Sequence, residues 1–209
     1  MLLDQTAWRA LLIAACDAWE AGVPRLNSID SAFGDGDHGI TIGKIARLVR
    51  SAAEQWQDEP IKAFLAGLGD AVMAVGGGSA GPLYGMIFAG LAAPLPEQAE
   101  AVDAATLKAM LAGVEDELRT ITTAQIGDKT MMDALLPAVA AAQTAPDGIG
   151  QILSEANRAA AAGAKATEQM VAKYGRARLY GEQSLGTPDA GALSTALLFE
   201  GLDNGLAAL

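Results

Sequence analysis

The sequence predicts an all-α domain, on two observations. Apolar residues recur at steps of three and four, and no stretch alternates apolar and polar residues with the β-branched and aromatic enrichment of strands; aromatics are only 5% of the 209 residues. From Asp4 onward, Trp8, Leu11, Leu12, Ala15 and Trp19 share one helical face, and Gly22 marks that helix's expected end. The second helix, residues 40–57, follows "DSAFGDGDHG", and the third spans 61–75. The fourth, 81–92, opens within "GGGSAGPLYG"; the fifth spans 104–123, and the sixth, 131–143, opens within "GDKTMMD". The seventh, 149–173, draws on the alanines of "NRAAAAGAKATEQMVAKYG", and the eighth, 191–207, follows "GRARLYGEQSLGTPDAG". With no linker, repeat or low-complexity tail, residues 1–209 read as a single domain.

Composition excludes some functions. The net charge of −11 argues against a counterion-releasing grip on nucleic acid or an anionic membrane. Any anionic ligand must be held locally, by a metal or by backbone amides. Cys16 is the only cysteine, so no disulfide forms within the chain, and the opening residues lack a signal-peptide pattern; a cytoplasmic location is expected. Residues 71–98 carry one charged side chain, Glu97, but glycines 76–78, 81 and 85 and Pro82, Pro94 and Pro96 interrupt any membrane-spanning helix.

Four connections, before helices two, four, six and eight, combine glycine with charged or hydroxyl side chains. In an antiparallel bundle, alternate loops lie at one end, so these four are expected to converge on one rim, where rigid helices would position functional loops. Asp30, Asp35 and Asp37 repel one another when ionised. Splaying into water, proton sharing or a bound cation would each relieve this, and the all-oxygen set suits magnesium. An EF-hand register fails: starting at Asp35, its twelfth position is Ala46, and starting at Asp30 it is Thr41. One histidine and one cysteine cannot build the usual zinc shell. His38 to Thr41 open a helix, either as a cap or where unpaired amides attract an anion. "GGGSAGPLYG" supplies unobstructed amides and Ser79 for a phosphate or ribose, or a tight packing turn; it lacks the P-loop ending. Asp128 is placed to cap the sixth helix and Lys129 to reach another carboxylate. Arg176 and Arg178 lie beside Glu182 and Asp189 in a loop too long for a plain connection.

Taken together, "DSAFGDGDHG", "GGGSAGPLYG", "GDKTMMDALLPA" and "GRARLYGEQSLGTPDAGA" resemble, end to end, the nucleotide-binding L subunits of bacterial dihydroxyacetone kinases. The resemblance implies a barrel of eight antiparallel helices with ADP or ATP at one rim and two Mg²⁺ ions held by Asp30, Asp35 and Asp37. It implies nucleotide contacts from His38, Gly39, Ile40 and Thr41 beside the phosphates, from Ser79 and Ala80, and from Met131, Arg176, Asp189, Ala190 and Gly191. It also implies a separate substrate-binding kinase subunit (DhaK-like) that holds a triose-like sugar, with ATP or a phosphocarrier of the sugar phosphotransferase system as donor. Some relatives instead bind a transcription regulator. Gln183, Thr187, Ala190 and Thr122 depart from the family's pattern of arginine, histidine, proline and glycine there.

Overall fold

Asp4 caps the first helix, its carboxylate accepting the Ala7 amide at 2.9 Å, and α1 then runs from Gln5 to Phe33 in the computed structural model, which describes residues 1–209. The predicted stop at Gly22 is not observed. Gly22 lies against Leu197, where a β-carbon would come within 2.5 Å of that side chain, so its missing side chain serves packing rather than termination. Pro24 lies inside the helix and forgoes one backbone hydrogen bond, but burial of Leu26 and packing against the second helix carry α1 onward. The consequence is functional: Asp30 stands on the last turn of a helix, not in a loop.

Seven more helices follow, α2 (His38–Gln55), α3 (Ile61–Met73), α4 (Ala80–Ala92), α5 (Ala104–Arg119), α6 (Met132–Thr144), α7 (Ile149–Ala166) and α8 (Ala190–Ala207). The fold is all-α, as expected. Its only strands are two-residue segments, β1 (Leu3–Asp4) and β2 (Ala101–Val102), paired antiparallel with Leu3 opposite Val102. These are too short to leave a period-two signal. The seventh helix was expected to reach residue 173 but stops at Ala166, because the buried Thr167 turns its hydroxyl back to the Ala164 carbonyl at 2.6 Å and the chain enters a 3₁₀ turn, Thr167–Gln169.

The helices pack largely in chain order, α1 on α2, α3 on α4, α4 on α5, α6 on α7 and α7 on α8, and the extensive contact of α8 with α1 closes the ring. Trp8, Leu11, Leu12, Ala15 and Trp19 are buried in it, as their spacing predicts. Trp19 meets Tyr84 edge to face at 5.4 Å and donates its indole N–H to the Ser194 carbonyl at 2.8 Å, tying α1, α4 and α8 together directly under one rim. No helix is long and apolar enough to cross a membrane.

Candidate functional site

At that rim the four glycine-bearing loops meet around a cavity of about 720 Å³, a size suited to a small organic ligand. Its lining combines the two ends of the Asp30–His38 segment, Gly77 to Ala80, Lys129 to Met132, Tyr174 to Ala177 and Pro188 to Gly191.

The carboxylates of Asp30, Asp35 and Asp37 each place an oxygen within 4.8 Å of the others. The local chain builds this cluster. Gly34 donates its amide to the Asp30 carbonyl, ending α1, and sits so close to the Asp30 carboxylate that a side chain there would collide with it. Gly36 turns the chain at φ +75°, in the left-handed region that glycine enters readily. Asp30 then accepts the amides of Asp37 at 3.0 Å and His38 at 3.4 Å on a single carboxylate oxygen, fixing the turn. Arg176 crosses the mouth of the cavity to pair with Asp35 and not with Glu182, and its guanidinium holds the Asp35 carboxyl below its ordinary range.

His38, Ser79, Ala80, Met131, Arg176, Asp189, Ala190 and Gly191 line this cavity together with the three aspartates. Gly39, Ile40 and Thr41 do not. Gly39 is buried against the Val23 carbonyl and Asn27, Ile40 gives its amide to Asn27 at 3.1 Å, and Thr41 gives its amide to the Asp37 carbonyl at 2.9 Å. The first turn of α2 is thus largely spoken for. Unused amides lie instead in the glycine loop: those of Gly77, Gly78, Ser79 and Ala80 donate to nothing within the protein, and Gly77 (φ +137°) rests on the Thr41 hydroxyl where any side chain would clash. Thr41 therefore acts from beneath, as the floor of that loop.

The His38 ring faces α8. Its Nε2 lies 2.8 Å from the Ser194 hydroxyl, which also accepts from the Tyr84 hydroxyl at 2.8 Å and donates to the Gly191 carbonyl at 3.0 Å. Burial lowers the His38 pKa against the pull of Asp30 and Asp37, so at neutral pH the imidazole is uncharged. Asp189 caps α8, accepting the Ala192 amide at 2.7 Å; burial pushes its pKa up to about 7, opposed by that hydrogen bond.

Two sequence expectations for "GDKTMMD" are corrected. Asp128 does not cap α6: it accepts the Gln125 amide at 2.8 Å and pairs with Lys173 at 2.7 Å. No side chain caps α6; instead the buried Asp133, in its first turn, folds the preceding loop onto the helix, its two oxygens accepting the amides of Gly127 and Thr130 at 2.6 and 2.7 Å. Lys129 reaches no carboxylate; its ammonium is buried among four backbone carbonyls. Among the departures from the resembled pattern, Thr122 and Ala190 line the cavity, whereas Gln183 is exposed and outside it. Tyr84, Ser194 and Asp133 were not singled out by sequence reasoning. Asp133 had a legible signal, standing three residues after Thr130 at a helix start, as in a capping box. Tyr84 and Ser194 had none: Tyr84 stands within the apolar α4, and Ser194, beside Thr195, within the apolar α8.

Residues 32–204 match the sequence model of the DAK2 domain. The chain is 34% identical, over 83% of its length and 82% of the relative's, to the ADP-binding subunit DhaL of the PEP-dependent dihydroxyacetone kinase 2 of Listeria innocua. It is 37% identical to the L-erythrulose 1-kinase of Mycolicibacterium smegmatis over 85% of its length, but spans only 31% of that enzyme. Among solved structures, the dihydroxyacetone kinase of C. freundii in complex with AMP-PNP and Mg²⁺ superposes with a TM-score of 0.69 at 28% identity, covering 94% of this chain and 33% of the kinase. The chain therefore corresponds to about a third of these longer kinases.

Proposed function

Because this chain belongs to the DAK2 domain family, we propose that it is the nucleotide-binding part of a dihydroxyacetone-kinase-type phosphotransferase, passing a phosphoryl group to a triose or related short sugar held by a DhaK-like partner. The observation that carries this reading is the pairing, in one cavity, of an all-oxygen carboxylate cluster with a loop of unpartnered amides. Three carboxylates within 4.8 Å fit Mg²⁺, a hard cation that shares its shell with phosphates, and Asp30, Asp35 and Asp37 would hold two such ions. When bound, the metal neutralises charge on the transferring group and aligns it. Gly77 to Ala80 offer their amides to phosphate oxygens, and Arg176 reaches the same space from across the mouth. Met131, Ile121 and Tyr174, which also line the cavity, would give a base apolar contact. Neutral His38, held by Ser194, orients within the site but brings no positive charge to it.

The Listeria innocua relative is by name one subunit of its kinase, and this chain spans about a third of the longer kinases, which supports presentation of the sugar by a partner. Exposed Ile126, Leu179 and Leu185, in the two long loops of this rim, offer apolar surface for that contact. The relatives' names as kinases, and the intact aspartate trio, favour transfer over a purely regulatory module that binds a transcription factor. The donor is ATP, or ADP rephosphorylated in place by a phosphocarrier. The decisive assay is transfer from labelled ATP, or from PEP with phosphocarriers, to dihydroxyacetone and erythrulose. The chain alone is expected to give no sugar phosphate, and addition of a DhaK-like subunit to give turnover; turnover by the chain alone would refute the division of labour.

Arg176 supplies a sharper test. Its ion pair with Asp35 is exposed, and pairs of that kind contribute little to stability. A planar fork of donors on phosphate is not replaced by a lysine ammonium. Arg176→Lys is expected to weaken Mg-ADP binding at least tenfold in calorimetry with the ligand-free melting temperature nearly unchanged, and Arg178→Lys to do less. Parent-like binding by both variants would show the loop to be structural only.

A further inference from the structure

Lys129 is the only basic residue buried in this protein, 3% exposed, and what surrounds its charge is unusual. The ammonium lies 3.0 Å from the Thr167 carbonyl, 3.2 Å from Met170, 2.5 Å from Ser184 and 2.6 Å from Thr187. A buried cation is ordinarily matched by a carboxylate; here no carboxylate is in contact, and four neutral carbonyl oxygens face three N–H bonds. That is the coordination that proteins offer to a weakly hydrated monovalent ion, in which carbonyls replace the water shell. The backbone concedes something for it: Lys129 sits at φ +59°, the only non-glycine residue in the left-handed region.

The four carbonyls come in two pairs. Thr167 and Met170 lie where the chain leaves α7, and Ser184 and Thr187 where it returns toward α8, so one cation draws together both ends of the intervening loop. Other stitches run alongside, the Gly186 amide to the Glu168 carbonyl at 2.7 Å and the Ala172 amide to the Ser184 hydroxyl at 3.1 Å. The loop between carries Tyr174 and Arg176 to the cavity, and its return leads directly into Asp189. We propose that Lys129 is a positioning residue whose ammonium serves as a built-in monovalent cation, locking the base of the 170–184 loop, and that shortening it leaves a carbonyl cage able to bind K⁺ or a small ammonium ion.

The test compares the parent, Lys129→Ala and Lys129→Met in KCl, methylammonium chloride and choline chloride at matched ionic strength, with two readouts: the rate of tryptic cleavage after Arg176 and Arg178, and Mg-ADP affinity. In choline, Lys129→Ala is expected to be cleaved at least tenfold faster than the parent and to bind Mg-ADP at least tenfold more weakly. KCl or methylammonium restores most of both, whereas Lys129→Met, which fills the space without charge, is impaired in every salt. Equal behaviour of Lys129→Ala in all three salts, or a parent-like Lys129→Met, overturns the proposal. The affinity readout rests on the nucleotide reading above; a parent that binds no Mg-ADP defeats that reading, while the cleavage comparison still judges the cage. Should the variants fail to fold, the parent decides: NMR is expected to show its Lys129 ammonium protons exchanging with water at least tenfold more slowly than those of exposed Lys44, and equal rates overturn the cage.

Discussion

Asp37→Asn is expected to weaken Mg-ADP binding at least a hundredfold while leaving the ligand-free protein as stable as the parent or slightly more so. Each member of the trio would contribute to metal binding, but only Asp37 is free of other duties. Asp30 holds the amides of Asp37 and His38, and Asp35 holds Arg176, so changing either would also disturb the loop. Asp37 precedes α2 without any side-chain capping bond, so its replacement spares the helix and removes one of three mutually repelling charges. A ligand at 100 times its dissociation constant adds about 2.7 kcal/mol to a protein that binds it only when folded. For a chain of this size that raises the melting temperature by roughly 5–11 °C. The parent is expected to show that rise with Mg-ADP and to lose it with excess chelator, and Asp37→Asn to lack it under both conditions. Equal ADP affinity with Mg²⁺ and with chelator in the parent would remove the metal from the site.

Asp133→Ala is expected to be among the most destabilising single changes at this rim. The carboxylate is 1% exposed and satisfies two backbone amides, those of Gly127 and Thr130, that have no other acceptor. A fully buried donor left without an acceptor costs about 1–3 kcal/mol; Gly127 and Thr130 are only partly buried, so the two together place the loss at up to about 6 kcal/mol and the fall in melting temperature at up to about 24 °C. Asp133→Asn should recover little, because one of its two positions now presents an N–H to an N–H. Thermal unfolding followed by circular dichroism checks this, and a melting temperature for Asp133→Ala within about 2 °C of the parent's would show that the amides find other acceptors on relaxation.

The convergence of the four loops was legible because it depends only on the parity of helices in an antiparallel ring, and the carboxylate cluster because its members lie within eight residues of one another. What sequence could not show are decisions taken by distant neighbours. Gly22 and Pro24 are local stop signals, overruled by Leu197 and by packing on α2. Lys129 and Arg176 each had a carboxylate nearby in sequence, yet one is matched by carbonyls and the other by Asp35, since partners are chosen by position in space and by burial. His38 reads in sequence as a helix cap or a contact beside an anion; its bond to Ser194, 156 residues away, and its burial make it a neutral member of a hydroxyl network.

The closure of the ring by α8 on α1 also sets an order in time. Most helix contacts join neighbours in the chain and can form as soon as the second member exists, whereas α1 must wait for α8, whose first residue, Ala190, follows Phe33 by more than 150 positions. At about 5–20 residues per second, synthesis leaves the first helix without its principal partner for on the order of 10–30 s. During that interval Trp8 and Trp19 lack the surface that buries them, and α1 is the segment for which a chaperone would compete. Its arrival also brings Ser194 to His38 and Asp189 to the cavity wall, so the cavity cannot be complete before α8 has been made. A chain whose synthesis stops short of α8 would thus hold every aspartate of the trio and still have no site.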